Sequence, residues 1–168
     1  MSGTRPGPGP SGSAARVRAA LAHIGLADAI VHFDRSTKTA AMAAEVMGCD
    51  LGQIAKSLVF VVDGRPVLAL VAGDRRGDTA AIAREAGGIS ASFADADTVR
   101  SATGYAIGGV SPFDLPEDVL VLVDESLGRF EIVYPAAGTP SSMVPMSFQQ
   151  LLDVSGGRVA PIGEERPR

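Results

Sequence analysis

Cysteine is nearly absent from this chain: Cys49 is the single one in 168 residues. No internal disulfide can form, and a reducing, cytoplasmic setting is the expectation. The two histidines, His23 and His32, are too few to complete an ordinary zinc site with it. Tryptophan is missing and aromatics make up 5% of the residues, so the core must be built from Ala, Val, Leu and Ile. No apolar run approaches the ~20 residues of a membrane helix. No apolar stretch follows the N-terminus as in a secretory signal. There is no basic excess either, since the formal net charge is −4. That excludes a protein coating nucleic acid through a broad cationic surface. A site gripping one RNA end with a few cations remains open, and Lys56, Arg75 and Arg76 are candidates.

What is present suits one domain. The length fits a single core, and apolar residues make up 46%. Residues 1–13 are Gly, Pro and Ser with one Met, one Thr and one Arg, a composition that reads as a disordered tail. Residues 163–168 read as a frayed end, leaving 14–162 as the folded unit. Helix periodicity runs from Ala14 to Leu26, with Gly25 as a stop. Ala29–Phe33 reads as a short strand. Thr39 can cap a helix to Met47 that Gly48 ends. Lys56–Val62 and Pro66–Ala72 flank Asp63-Gly64-Arg65, a hairpin signal. Both strands are apolar at nearly every position and should be covered on both faces. Asp78 caps a helix to Ala86, and Asp95 or Asp97 starts another reaching Thr103. Val119–Val123, Arg129–Tyr134 and Met143–Met146 read as strands. Ser147 has capping-box spacing to Gln150, and Arg158–Ala160 closes the order as a short strand. Hairpins mixed with helical crossovers predict an α/β fold around a curved or barrel-like mixed sheet.

Familiar catalytic equipment is missing. Gly73–Gly77 lacks the Gly-Lys-Ser/Thr of a P-loop, and Gly108-Gly109 lacks dinucleotide-binding spacing. Ser111 sits in Gly109-Val-Ser-Pro-Phe113, without the last glycine of a nucleophile elbow; an esterase built on Ser111 ranks last. Two features remain. Lys56 opens the apolar run to Val62, which fixes a cation at a strand end. By itself it also suits a lysine snorkelling into water. The loop Gly108-Gly-Val-Ser-Pro112 permits close backbone approach and could aim N–H groups at an oxyanion. It equally suits an ordinary tight turn. His32 could border a pocket from its strand, and Thr37 and Thr39 could each line one or cap a helix. Asp124, at a strand end, could do the same.

Four stretches together carry more: Ile54-Ala-Lys-Ser-Leu-Val-Phe60, Gly104-Tyr-Ala-Ile-Gly-Gly-Val-Ser-Pro-Phe113, Val123-Asp-Glu-Ser-Leu127 and Tyr134-Pro-Ala-Ala-Gly-Thr-Pro140. In this order they resemble the YbaK/prolyl-tRNA synthetase-associated editing-domain family, over residues 14–162. The resemblance implies a free-standing aminoacyl-tRNA deacylase that hydrolyses the ester of mischarged tRNA without metal or other cofactor, assisted by the substrate. It implies Lys56 as the essential cation. The Gly108–Pro112 loop would place the ester carbonyl, with Gly108 and Gly109 catalytic and Val110, Ser111 and Pro112 on the substrate. Ala136, Ala137 and Gly138 would line the same site. The implied partner is a tRNA acceptor end, with an aminoacyl-tRNA synthetase as a second. Two departures stand out. Asp114 occupies a position where many members have Gly, and Ala136-Ala-Gly138 replaces a Ser-Gly-Gly seen in some. A non-catalytic module that binds charged tRNA or a synthetase is the alternative.

Overall fold

The computed structural model describes residues 10–34 and 39–166. The chain opens with α1 (Pro10–Ala22), a 3-10 turn at Ala27–Ala29 and β1 (Val31–His32). It continues through α2 (Ala40–Met47) and a 3-10 turn at Leu51–Gln53. β2 (Ile54–Val62), β3 (Arg65–Ala72) and β4 (Arg75–Gly77) follow. Next come α3 (Thr79–Glu85), β5 (Ala91–Phe93) and α4 (Ala96–Thr103). After a long loop come β6 (Leu120–Asp124), a 3-10 turn at Glu125–Arg129 and β7 (Ile132–Pro135). The last elements are β8 (Ser142–Met143), β9 (Met146–Ser147), α5 (Phe148–Ser155), β10 (Arg158–Ala160) and β11 (Gly163–Glu165).

Among the described residues seven strands form one mixed, curved sheet in the order β10-β6-β3-β2-β7-β9, with β5 added beside β2. Its centre is the β2–β3 hairpin, whose turn holds Asp63 and Gly64 at positive φ as Asp-Gly turns require. Both faces are covered. Val59, Leu68 and Leu70 pack one face against α1, α4 and α5. Phe60, Val67 and Val71 pack the other against Ile82 of α3 and Ile162. A smaller cluster sits under α2, where Ala43 and Ala44 meet Ile54 and Met143. Helix ends follow the expected caps. Thr39, Asp78, Asp95 and Ser147 each accept an N–H of the first turn. No helix among the described residues is long and apolar enough to cross a membrane.

The folded unit is longer than expected at both ends. Pro10–Ser13 belongs to α1 rather than to the tail, and Ser13 is buried, because Gly138 packs against its carbonyl. At the other end Gly163–Glu165 is a strand rather than a frayed end. It pairs with β4, and Glu164 and Glu165 form ion pairs with Arg76 and Arg75. The strand expected at Arg129–Tyr134 starts only at Ile132, since Glu125–Arg129 winds into a 3-10 turn. The one expected at Met143–Met146 is split into β8 and β9 around Pro145, which has no N–H for a ladder.

Candidate functional site

The site begins with a break in strand pairing. On the side of β2 away from β3, β7 pairs with Ile54–Ala55 and β5 with Phe60–Val62. Between them the edge of β2 over residues 56–58 has no strand partner. A pocket of about 210 Å³ opens there. This is smaller than the ~300–1,000 Å³ of drug-sized ligand sites. Its walls are Lys56 and Ser57 from β2, Thr39 and Ala43 from the start of α2, and two loops, 104–114 and 136–142.

Lys56 is half-buried, and its Nζ donates to the Arg75 carbonyl at 2.5 Å. Burial pushes its pKa below the ordinary lysine value, and repulsion from Arg166 adds to this. Attraction to Asp74 opposes it. Ser57 brings a second polar group. Its Oγ is shielded from solvent and has no hydrogen-bond partner among the described residues, an arrangement that costs free energy unless a ligand supplies one.

The 104–114 loop is tied at its base. The Tyr105 hydroxyl donates to the Phe113 carbonyl at 2.6 Å, and burial raises the Tyr105 pKa to about 12. The Arg16 guanidinium lies 4.5 Å from the Tyr105 ring centroid and pairs with the Asp114 carboxylate at 3.0 Å. Asp114 itself has φ +53. A glycine would adopt that conformation freely; here the aspartate does so and gains Arg16 as its partner.

Within the loop, Gly108 has φ +88 and open space where a side chain would stand. Among the described residues, no acceptor takes the Gly108 or Val110 N–H. The Gly109 N–H, by contrast, donates to the Ala106 carbonyl at 3.0 Å. Ser111 is fully buried, and its Oγ donates to the Ala136 carbonyl at 2.8 Å, tying the two loops together. Gly109 lies against Thr139 and Pro140 at the same seam.

The expected residues therefore divide. Lys56, Gly108, Val110 and Ala136 share one pocket. Gly109, Ser111 and Pro112 do not line it. Gly109 has its amide committed to a turn, and Ser111 serves as a cross-loop tie. Pro112 is buried behind them and borders a different cleft. Ala137 is buried with its N–H on the Ser142 carbonyl, and Gly138 packs on α1. His32 is exposed on β1, outside Ser142 of β8. Asp124 is buried away from the pocket, where it accepts the N–H groups of Ser126, Ile162 and Gly163. Thr37 lies outside the described residues.

Three polar residues of the pocket, Ser57, Thr139 and Ser142, were not singled out from sequence as site residues. Ser57 carried a signal, being the one hydroxyl in the apolar run after Lys56. Thr39 reads as a helix cap or a pocket-lining residue and is both: its Oγ1 accepts the Met42 N–H, and it lines the pocket. Thr139 and Ser142 meet Oγ to Oγ at 2.7 Å in the second loop, and the Thr-Pro-Ser-Ser composition there reads only as a turn. Among the described residues no three of His, Cys, Asp or Glu gather as a metal site.

Comparison with known proteins gives a consistent result. The model of the aminoacyl-tRNA editing domain matches residues 34–154. Uncharacterized protein YwhH of Bacillus subtilis is 37% identical over 131 residues, spanning 77% of this chain and 83% of that protein. The multifunctional Ser/Thr-tRNA deacylase ProXp-y of Escherichia coli is 35% identical over 107 residues, 60% of this chain and 64% of its own. The crystal structure of a candidate trans-editing enzyme for prolyl tRNA synthetase superimposes with a TM-score of 0.82 at 38% identity, covering 90% of this chain and 97% of that one.

Proposed function

The chain belongs to the aminoacyl-tRNA editing domain family, and from that premise we propose that it is an aminoacyl-tRNA deacylase, hydrolysing the ester of mischarged tRNA without a metal ion. The observation that carries this reading is the convergence of Lys56 with the unpaired Gly108 and Val110 amides on one small pocket. A free-standing role is supported by the likeness to a trans-editing enzyme over nearly that protein's whole chain. A tRNA acceptor end is the substrate partner, and a synthetase such as the one named for that relative is a second.

The chemistry asks little of the protein. An aminoacyl ester is already activated, so positioning a water and stabilising the oxyanion carry most of the work. Water oxygen adds to the ester carbonyl carbon, and the carbonyl oxygen takes up negative charge against the Gly108 and Val110 N–H groups. The bond to the ribose oxygen then breaks. The oxyanion re-forms the carbonyl, and the ribose oxygen leaves with the proton given up by the attacking water, relayed by a neighbouring ribose hydroxyl. Lys56 leaves the Arg75 carbonyl and meets a phosphate oxygen of the terminal nucleotide as a point charge. The pocket's size and its Thr139, Ser142 and Ser57 hydroxyls suit a small amino-acid side chain.

The test is a panel of tRNAs, each charged with a wrong small amino acid and incubated with the purified protein. Release of amino acid above the spontaneous rate from at least one member is expected. Salt-sensitive binding of charged tRNA with no release from any member would replace the enzyme with a binding module.

A further inference from the structure

A second cleft of about 220 Å³ adjoins the first and shares Ser57, Leu58, Gly108 and Val110 with it. Its outer rim is apolar and open to solvent. Phe93 is 65% exposed and Ile107 58% exposed, in a chain with few aromatics. Phe93 is firmly placed. Phe93 ends β5, and its ring lies 4.5 Å from that of fully buried Phe60 at an interplanar angle of 33°. The Ala94 N–H, one residue on, donates to the Val59 carbonyl at 3.0 Å and fixes the strand end. Ala94 and Val99 form the apolar floor.

The substrate proposed above has two lobes: an amino-acid side chain, and a flat, unpaired terminal base. The ester lies between them. The two clefts likewise meet at Gly108, Val110 and Ser57, where the free amides are. Unpaired bases of RNA are held by stacking on aromatic side chains far more than by duplex contacts. We propose that the Phe93–Ile107 cleft is the seat of the terminal adenine base, with Phe93 as the stacking platform. This inference rests on the deacylase reading for its substrate. The base fills one cleft, the amino-acid side chain fills the other, and the ester carbonyl is drawn to the shared wall.

The experiment uses the full chain and two fluorescein-labelled short single-stranded RNAs, one ending in adenosine and one ending in an abasic residue. Binding is followed by fluorescence anisotropy at low salt. Wild type is expected to bind the adenosine-ended RNA about tenfold more tightly, the size of a single base–aromatic stack. Phe93→Leu keeps the apolar contact with Phe60, so it protects the fold. It is expected to bind both RNAs equally, whereas Phe93→Trp restores the preference. On charged tRNA, Phe93→Leu should raise KM more than it lowers kcat. Equal binding of the two RNAs by wild type, or a preference surviving in Phe93→Leu, overturns the proposal. So does a wild-type dimer that Phe93→Leu dissolves without any adenosine preference, because the patch then belongs to a second copy. A wild type that prefers adenosine but releases no amino acid keeps the base seat and removes the deacylase reading. Release without the preference does the reverse.

Discussion

Gly108 offers a perturbation whose two consequences can be separated. Its φ of +88 is a region that L side chains enter at a cost, yet a Cβ there would meet only Pro140 Cγ at 4.0 Å. Gly108→Ala therefore adds backbone strain and almost no clash. Left-handed backbone costs ~1–2 kcal/mol for a residue with a Cβ, and each kcal/mol lowers Tm by about 2–4 °C in a domain of this size. A fall of about 2–8 °C is expected. The loop cannot simply swing to relieve the strain. It is tied by Tyr105 to Phe113, by Ser111 to Ala136 and by Arg16 to Asp114. Gly25 supplies the control. It has φ +74, no atom within 4 Å of a built Cβ, and no part in the pocket. Gly25→Ala should lose a similar Tm and no activity. Gly108→Ala should also lower kcat, because strain at that residue turns the amides at 108 and 110. Complete misdirection of one such donor would cost about 10²–10³ in rate, so a smaller loss, near tenfold, is expected from a loop held at its base. Melting curves and deacylation kinetics on both variants decide it. Equal kinetic effects of the two substitutions, or no Tm loss at Gly108, would refute the reasoning.

Ser57→Ala removes a buried hydroxyl without a partner, so Tm should hold or rise by a few degrees while kcat/KM falls; a fall in both, by calorimetry and kinetics, would make Ser57 merely structural. Lys56 has a folded pKa below the ordinary ~10.4 of lysine, so its ammonium is lost at a lower pH than that of a free lysine. The enzymatic rate, corrected for spontaneous hydrolysis, should therefore fall as pH rises through that lowered value, and Lys56→Arg should abolish this alkaline limb. Asp124→Ala removes the acceptor of three backbone N–H groups; that of Ile162 keeps the Ala160 carbonyl, so two are stranded, which should cost ~2 kcal/mol or more, or about 4–8 °C in Tm, with kcat of the surviving fold near wild type.

Much of this architecture is written in local signals. The Asp63-Gly64 hairpin, the Thr39, Asp78, Asp95 and Ser147 caps and the glycine stops depend on a few neighbouring residues, and they form where the pattern puts them. The elements that escaped are those made by distant partners. β4 and β11 exist because Arg75 and Arg76 meet Glu165 and Glu164. β5 exists because β2 offers it an edge. The site divides along the same line. Strand and glycine chemistry brought Lys56 and Gly108 forward only as one reading of two, and the four stretches resembling the editing-domain family tipped the choice; both line the pocket. The committed amide of Gly109, the loop tie of Ser111 and the caps made by Asp124 are tertiary facts. Asp114 shows a departure from family pattern absorbed by the fold, since Arg16, nearly a hundred residues earlier, holds it.

The most direct measurement is single-turnover release of amino acid from one mischarged tRNA by wild type and by Lys56→Ala, with Tm recorded for both. A loss of at least about 100-fold below saturation, with Tm maintained, is predicted, the scale expected when a half-buried charged contact to phosphate is removed. A Lys56→Ala protein that releases amino acid as fast as wild type would contradict the central claim.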